Sequence, residues 1–163
     1  MADSTGDTFY EYNLDRQLTK TLFSDSSGIT IVYDTTDCGC GGGGKPAIIR
    51  YDQGETLFKY SSSTGKLAQI VGSRQYANGT REDTLGFTYD GSLPTSVSWS
   101  GQVNGNVSVT YNNDFKVTSQ SVNNSNTANY TYSNDGLLSQ AGELALQHNP
   151  ANGRLTGTTL GNV

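Results

Sequence analysis

The sequence predicts an all-β chain built from tandem β-hairpins, with very little helix. Three observations predict it. Apolar and polar residues alternate in short runs, which puts one set of side chains on one face of a strand. Asp, Asn, Ser and Gly cluster between the runs, where turns need local side-chain hydrogen bonds and positive φ. The same letters return about every twenty residues, the mark of a repeat array.

The repeat reads aromatic, any residue, Tyr, Asp or Asn, a short polar turn, then Leu. In chain order, Tyr10-Glu11-Tyr12-Asn13 leads to Leu18. Val32-Tyr33-Asp34 begins a copy that is then interrupted. Ile49-Arg50-Tyr51-Asp52-Gln53-Gly54 leads to Leu57, and Phe58-Lys59-Tyr60 runs through Gly65 to Leu67. Phe87-Thr88-Tyr89-Asp90-Gly91 leads to Leu93, and Val109-Thr110-Tyr111-Asn112 to Phe115 and Val117. Tyr130-Thr131-Tyr132 passes through Gly136 to Leu138, and Leu146-Gln147-His148-Asn149 through Gly153 to Leu155. Tyr12 to Tyr33 is 21 residues, Tyr89 to Tyr111 is 22 and Tyr111 to Tyr132 is 21, enough for two short strands and their turns. Each unit is therefore one hairpin, with its tyrosine and leucine expected to form the repeat core. The clearest hairpin joins Ser96–Trp99 to Val107–Tyr111 through a polar loop containing Asn104-Gly105. Leu137–Gln147 has the length for a turn or two of helix, interrupted by Gly142.

Composition bounds the function. The chain has 163 residues, 33% of them hydrophobic, and a net charge of −5. Leu, Ile, Val and Phe number 32, a thin supply that ten tyrosines and one tryptophan supplement, so a thin, aromatic-rich core is expected. No Lys/Arg cluster is present to neutralise phosphates, which argues against nucleic acid. No apolar run is long enough to span a membrane as a helix, and the N-terminus has neither the basic start nor the apolar stretch of a signal peptide.

The stretches Phe87–Val97, Tyr130–Ser139 and Asn149–Gly157 resemble YD repeats, and the resemblance extends over nearly the whole chain outside about 34–48. The family includes bacterial RHS proteins, the shell components of insecticidal ABC toxins, and animal teneurins. The resemblance implies β-hairpins joined edge to edge in a spiral, open antiparallel sheet that walls a hollow shell. It implies a single segment, 1–163, of seven to eight degenerate repeats. Its repeat core would be Tyr12, Tyr33, Tyr51, Tyr60, Tyr89, Tyr111 and Tyr132 with Leu18, Leu57, Leu67, Leu93, Leu138 and Leu155. In bacterial members the shell often encloses a C-terminal toxin that an aspartyl self-protease releases; neither element is recognisable here, so no catalytic residue carries over. Val163 falls where another repeat would begin, which suggests a piece of a longer array whose open edges recruit strands.

Several motifs have sharper readings that context weakens. Cys38-Gly39-Cys40-Gly41-Gly42-Gly43-Gly44-Lys45-Pro46 interrupts the copy begun at Tyr33. Two thiolates suit a soft metal, but a zinc site wants four ligands and wider cysteine spacing. A glycine loop near 37–46, with Cys38 and Cys40 open to an intermolecular disulfide or cross-link, fits better. Gly39 to Lys45 also spells a phosphate-loop pattern, yet Pro46 stands in the Ser/Thr place and a strand follows instead of a helix. His148, the one histidine, stands in a repeat tyrosine's place without a nucleophile motif. Asn134-Asp135-Gly136 lacks the twelve-residue calcium spacing and reads as a turn. Sequons at Asn78, Asn106, Asn123 and Asn129 matter only in a glycosylating host.

The residues thus predict a non-enzymatic structural module without cofactor or metal, and the resemblance implies that it is part of an extracellular or cell-surface shell around a toxin or other polypeptide. Its partners would be neighbouring repeats, a cargo, or copies of itself. Two alternatives stand beside it: a self-associating fibre or adhesive module built by edge pairing, and a carbohydrate-binding module using exposed tyrosines and Trp99.

Overall fold

A computed structural model describes residues 6–34 and 43–161. Among them lie fourteen strands and no helix. In chain order they are β1 (Phe9–Tyr12), β2 (Leu18–Leu22), β3 (Gly28–Tyr33), β4 (Pro46–Tyr51), β5 (Gly54–Tyr60), β6 (Leu67–Tyr76) and β7 (Gly79–Asp90), then β8 (Leu93–Ser100), β9 (Gly105–Tyr111), β10 (Val117–Val122), β11 (Ser125–Tyr132), β12 (Leu138–Ala141), β13 (Leu144–His148) and β14 (Leu155–Leu160). Hydrogen-bonded strand order follows chain order from β1 to β14. Each strand therefore pairs with its sequence neighbours, as expected when short turns reverse the chain.

The chain divides into two compact units, Met1–Phe87 with Trp99–Asn104, and Thr88–Ser98 with Gly105–Val163. In the first, β1 to β7 pair antiparallel, with Phe9 opposite Leu22, Ile31 opposite Ile49 and Phe58 opposite Ile70. Its longest arms are β6 and β7, of 10 and 12 residues. The loop 101–104 belongs to this unit, where the Asp83 carboxylate accepts the Gln102 amide at 3.2 Å. In the second unit β9 to β14 pair antiparallel, with Val109 opposite Gln120 and Tyr130 opposite Ala141.

Two local expectations change. Leu137–Gln147 forms no helix. Leu138–Ala141 and Leu144–His148 are the two arms of a hairpin, with Gly142 (φ 60) between them and burial alternating along β13. Period-2 burial outweighs the leucine content there. In the loop before β9, Gly101 (φ 143) supplies the left-handed backbone, Gly105 begins the strand, and the Asn104 side chain accepts the Gly101 amide at 3.0 Å.

Burial differs from the expected thin core. Among the described residues no hydrophobic side chain is buried. Some repeat aromatics are half-buried instead: Phe58 and Tyr60 flank exposed Lys59, and Tyr130 and Tyr132 flank exposed Thr131, while Tyr12, Tyr51, Tyr89 and Phe115 are exposed. A sheet buries a face only against another layer. Pairing with sequence neighbours covers the strand edges and leaves the faces to whatever packs on them.

Candidate functional site at the hairpin turns

The sheet is organised by the turns that follow β1, β3, β5, β9, β11 and β13. The first residue after the strand is Asn13, Asp34, Ser61, Asn112, Ser133 or Asn149, and its amide donates to the carbonyl of the residue just before the return strand at 2.8–3.0 Å. Three of these residues also accept the amide of that same last turn residue on their own side chains: Asn13 from Gln17 at 2.8 Å, Asn112 from Lys116 at 2.9 Å and Ser133 from Leu137 at 3.2 Å. A residue of positive φ completes each turn: Arg16, Gly44, Gly65, Phe115, Gly136 or Gly153. A tight turn ending in a left-handed residue forces a bulge in the flanking strand. The register accordingly shifts at Tyr12, Tyr33, Tyr60, Tyr132 and His148.

The bulge aims each tyrosine across the preceding strand. Tyr33 donates its hydroxyl to the Leu18 carbonyl at 2.9 Å, and Tyr60 to the Pro46 carbonyl at 2.9 Å. In the second unit Tyr111 donates to the Pro94 carbonyl at 2.7 Å and Tyr132 to the Val117 carbonyl at 2.8 Å. Every acceptor lies in the first two residues of the neighbouring strand. Each such bond is worth about 1 kcal/mol net.

A second contact accompanies the first. The residue preceding the return strand reaches forward to the next turn. Gln17 Nε2 donates to the Gly44 carbonyl at 2.9 Å, Lys45 Nζ to Gly65 at 2.7 Å and Lys116 Nζ to Gly136 at 2.9 Å. Both lysines also lie over the tyrosine rings, Lys45 over Tyr60 at 5.1 Å and Lys116 over Tyr132 at 5.2 Å. A Cβ on Gly136 would strike Lys116 Nζ, so this glycine provides both its φ of 76 and the room for the lysine. Leu137 plays the part apolarly, lying within 3.3 Å of where a Cβ on Gly153 would stand. Burial first, and the negative charge of Asp34 second, push the Tyr60 phenol above its ordinary value.

Hydroxyl and charge pairs lie across the same hairpins. Thr88 bonds Thr95 and Ser96 at 2.8 and 2.7 Å, Thr110 bonds Thr118 and Ser119 at 2.8 and 2.7 Å, and Thr131 bonds Ser139 at 2.9 Å. In the first unit Glu11 pairs with Lys20 at 3.5 Å and Arg50 with Glu55 at 3.2 Å.

The residues picked out from the sequence fall into distinct places. Tyr33, Tyr60, Tyr111 and Tyr132 occupy the latch. Tyr12 holds the same position on the first strand and is 61% exposed. Tyr51 ends β4 at the opposite set of turns, opposite Gly54, and Tyr89 lies in β7. Leu18, Leu67, Leu93, Leu138 and Leu155 begin return strands, Leu155 at 55% exposure and the others half-buried; Leu57 lies half-buried within β5. His148 replaces the latch tyrosine and has no side-chain hydrogen-bond partner among the described residues; it lines a hollow of about 440 Å³ with Ser133, Leu137 and Ser139. Trp99 lines an apolar groove of about 500 Å³ with Ile70, Leu85 and Val103. Cys38 and Cys40 lie outside the described residues. The Asp34 amide bonds the Lys45 carbonyl, and strands β3 and β4 pair antiparallel. Lys45, the phosphate-loop candidate, is engaged by Tyr60 and Gly65. Gln17, Lys45 and Lys116 were not singled out as partners of the turns. Their signal is positional: each immediately precedes the first residue of a return strand.

A family model described as Teneurin YD-shell matches residues 2–162. No curated protein matches the chain. Among solved structures, the crystal structure of TcdB2–TccC3 without the hypervariable C-terminal region is similar at a TM-score of 0.53 and 12% identity, over 94% of this chain and 10% of that one. The crystal structure of TcdB2–TccC3–Cdc42 matches at 0.52 and 12%, again over 94% and 10%. A Photorhabdus luminescens Tc holotoxin pore gives 0.45 and 16%, over 90% and 10%. The chain thus spans about a tenth of the length of the chains it matches.

Proposed function

Because this chain belongs to the teneurin YD-shell family, we propose that it is a non-enzymatic wall segment of a secreted or cell-surface shell that keeps a polypeptide cargo from solvent and proteases. The observation that carries the reading is the recurrence of one tyrosine-to-carbonyl latch at successive hairpins. Backbone ladders fix each strand to the next, and the latches fix each turn to the strand before it. Such a wall needs no reactive group. It needs continuity, and the half-buried repeat residues leave faces for neighbouring repeats or a cargo to cover. We assign the tyrosines and leucines named above to the repeat core in that sense.

The test uses the whole reading frame that contains this segment. Closed hollow particles by electron microscopy, with an enclosed polypeptide resistant to added protease, are expected. Tyr111→Ala with Tyr132→Ala should open the wall and expose the cargo. Extended filaments and no protected cargo would replace the shell with the second reading, a self-associating fibre. That reading draws on the exposed aromatics of the first strand, Phe9, Tyr10 and Tyr12.

A further inference from the structure

One row across the first unit runs Tyr51, Gly54, Arg74 and Arg81, each opposite the next in the pairing of β4, β5, β6 and β7. Opposed residues of antiparallel strands share a face, so these side chains stand on one side of the sheet. Gly54 leaves a gap in the row, where a Cβ would strike the Ser73 carbonyl. Beside the gap Tyr51, Phe23 and Ile29, all three exposed, line a hollow of about 390 Å³ that Arg74 borders from the other side. Like charges placed directly opposite on a sheet destabilise the pairing, yet Arg74 and Arg81 are so placed. Both guanidiniums lie near the Tyr76 ring, Arg81 at 4.8 Å and Arg74 at 5.7 Å, and Arg74 donates to the neutral Gln53 side chain at 3.0 Å. Neither has a carboxylate within ion-pair distance among the described residues. Asp83, on the same face, accepts the Gln102 amide at 3.2 Å, while Glu55 and Glu82 stand opposite Ser73 on the reverse face. Asp52 lines the hollow and accepts the Gly28 amide at 3.4 Å. A chain of net charge −5 thus holds two cations together, beside exposed aromatic surface, without a counter-charge.

We propose that this row docks an extended peptide segment of a partner protein, with one acidic side chain taken by Arg74 and Arg81 and an apolar side chain entering the hollow against Phe23, Ile29 and Tyr51. Guanidinium forks match a carboxylate bidentately, and charge-assisted bonds of this kind are the strong ones. The Tyr76 ring holds both forks in place beforehand, so less side-chain freedom is lost on binding. In an extended segment, side chains two residues apart stand on one side about 7 Å from each other. An acidic residue two places from an apolar one therefore reaches the guanidiniums and the space over Gly54 together. Asp52 and the net negative charge disfavour a polyanion, so a single carboxylate beside apolar surface is the chemistry that fits. Strands β4 to β7 lie inside the sheet with both edges paired, so the contact is made on the face.

The test titrates the isotope-labelled 163-residue chain with two capped peptides, Gly-Ser-Glu-Ser-Phe-Ser-Gly and the same peptide with Gln in place of Glu, followed by amide chemical shifts. The Glu peptide should saturate shifts at Tyr51, Gly54, Arg74 and Arg81 with a dissociation constant of about 0.1–1 mM. The Gln peptide should bind about tenfold more weakly. On the unsubstituted chain, salt at about 0.5 M should weaken the Glu peptide and leave the Gln peptide unchanged. Arg74→Gln with Arg81→Gln should abolish the difference between the peptides, whereas Tyr51→Ser should weaken both about tenfold and preserve it, each with the circular dichroism of the parent. Equal binding of the two peptides, shifts confined to other strands, or no shift at about 5 mM peptide overturns the proposal. So does tighter binding of heparin or of phosphatidylserine vesicles than of the Glu peptide at the same residues, which would make the row a polyanion or membrane contact.

Discussion

Tyr132→Phe deletes one oxygen and leaves the ring beneath Lys116. The lost bond is the 2.8 Å contact from the phenol to the Val117 carbonyl. A net intramolecular hydrogen bond contributes roughly 0.5–1.5 kcal/mol. The site is half-buried, so water reaches the abandoned carbonyl in part and the full penalty for an unsatisfied buried acceptor is not incurred. A loss of about 1 kcal/mol is expected. With a urea slope of about 1–3 kcal/mol/M, the midpoint should fall by roughly 0.3–1 M. Circular dichroism follows both units, and amide exchange in β10 and β11 localises the change. Tyr10→Phe is the control, because Tyr10 is 57% exposed and its hydroxyl has no partner among the described residues. It should stay within about 0.5 kcal/mol of the parent. A cycle of Tyr132→Leu, which does remove the ring, with Lys116→Met should then show coupling of about 0.5 kcal/mol from the ring contact. If Tyr132→Phe behaves like Tyr10→Phe, the hydroxyl is not a latch and the reasoning fails.

Phe115 is 72% exposed at φ 61, where parallel turns carry glycine, so Phe115→Gly should stabilise the chain by about 1 kcal/mol in the same urea assay. His148→Tyr should restore the latch onto the start of β12 and stabilise the second unit by about 1 kcal/mol, seen as slower amide exchange in β12 and β13. At high pH, the raised Tyr60 value means its contribution is complete below the unfolded value of about 10 and is lost as pH climbs through the higher folded one. Phenolate absorbance should report a late-titrating tyrosine that Tyr60→Phe abolishes. At low pH, the Ser27 hydroxyl first and its amide second hold the exposed Asp25 carboxyl below its ordinary value. That contribution is present above the unfolded value of about 4 and fades as pH falls through the lower folded one, a dependence Asp25→Asn should remove.

Sequence patterning carried the strand content and the hairpins, because period-2 alternation and turn chemistry are local properties, and it also grouped the tyrosines into one series. It placed Tyr51 in that series although its two-residue turn lies at the other ends of the strands. Aromatic-x-Tyr-Asp looks the same at both sets of turns, and only the count of strands between them separates the two. The forward contacts of Gln17, Lys45 and Lys116 escaped for another reason. Their partners are glycine carbonyls 20 or more residues away, and a backbone acceptor leaves no pattern in the sequence. The aromatic-rich core was over-read because composition measures how much can be buried, while topology decides what covers it.

The backbone acceptors also explain why the repeats can be so degenerate. Leu18, Pro46, Pro94 and Val117 differ in side-chain shape and in backbone freedom, yet each offers a carbonyl, and proline has one like any other residue. The forward donor can be an amide or an ammonium. Where the latch is made, one hydroxyl and a turn that closes from amide to carbonyl are then the main demands a hairpin places on its neighbour. The turn itself closes between the Asp34 amide and the Lys45 carbonyl across an insertion, which shows how little of the intervening sequence the geometry requires. A fold held in this way can keep its architecture while its sequence drifts, which is how a chain can share a fold with structures at 12% identity.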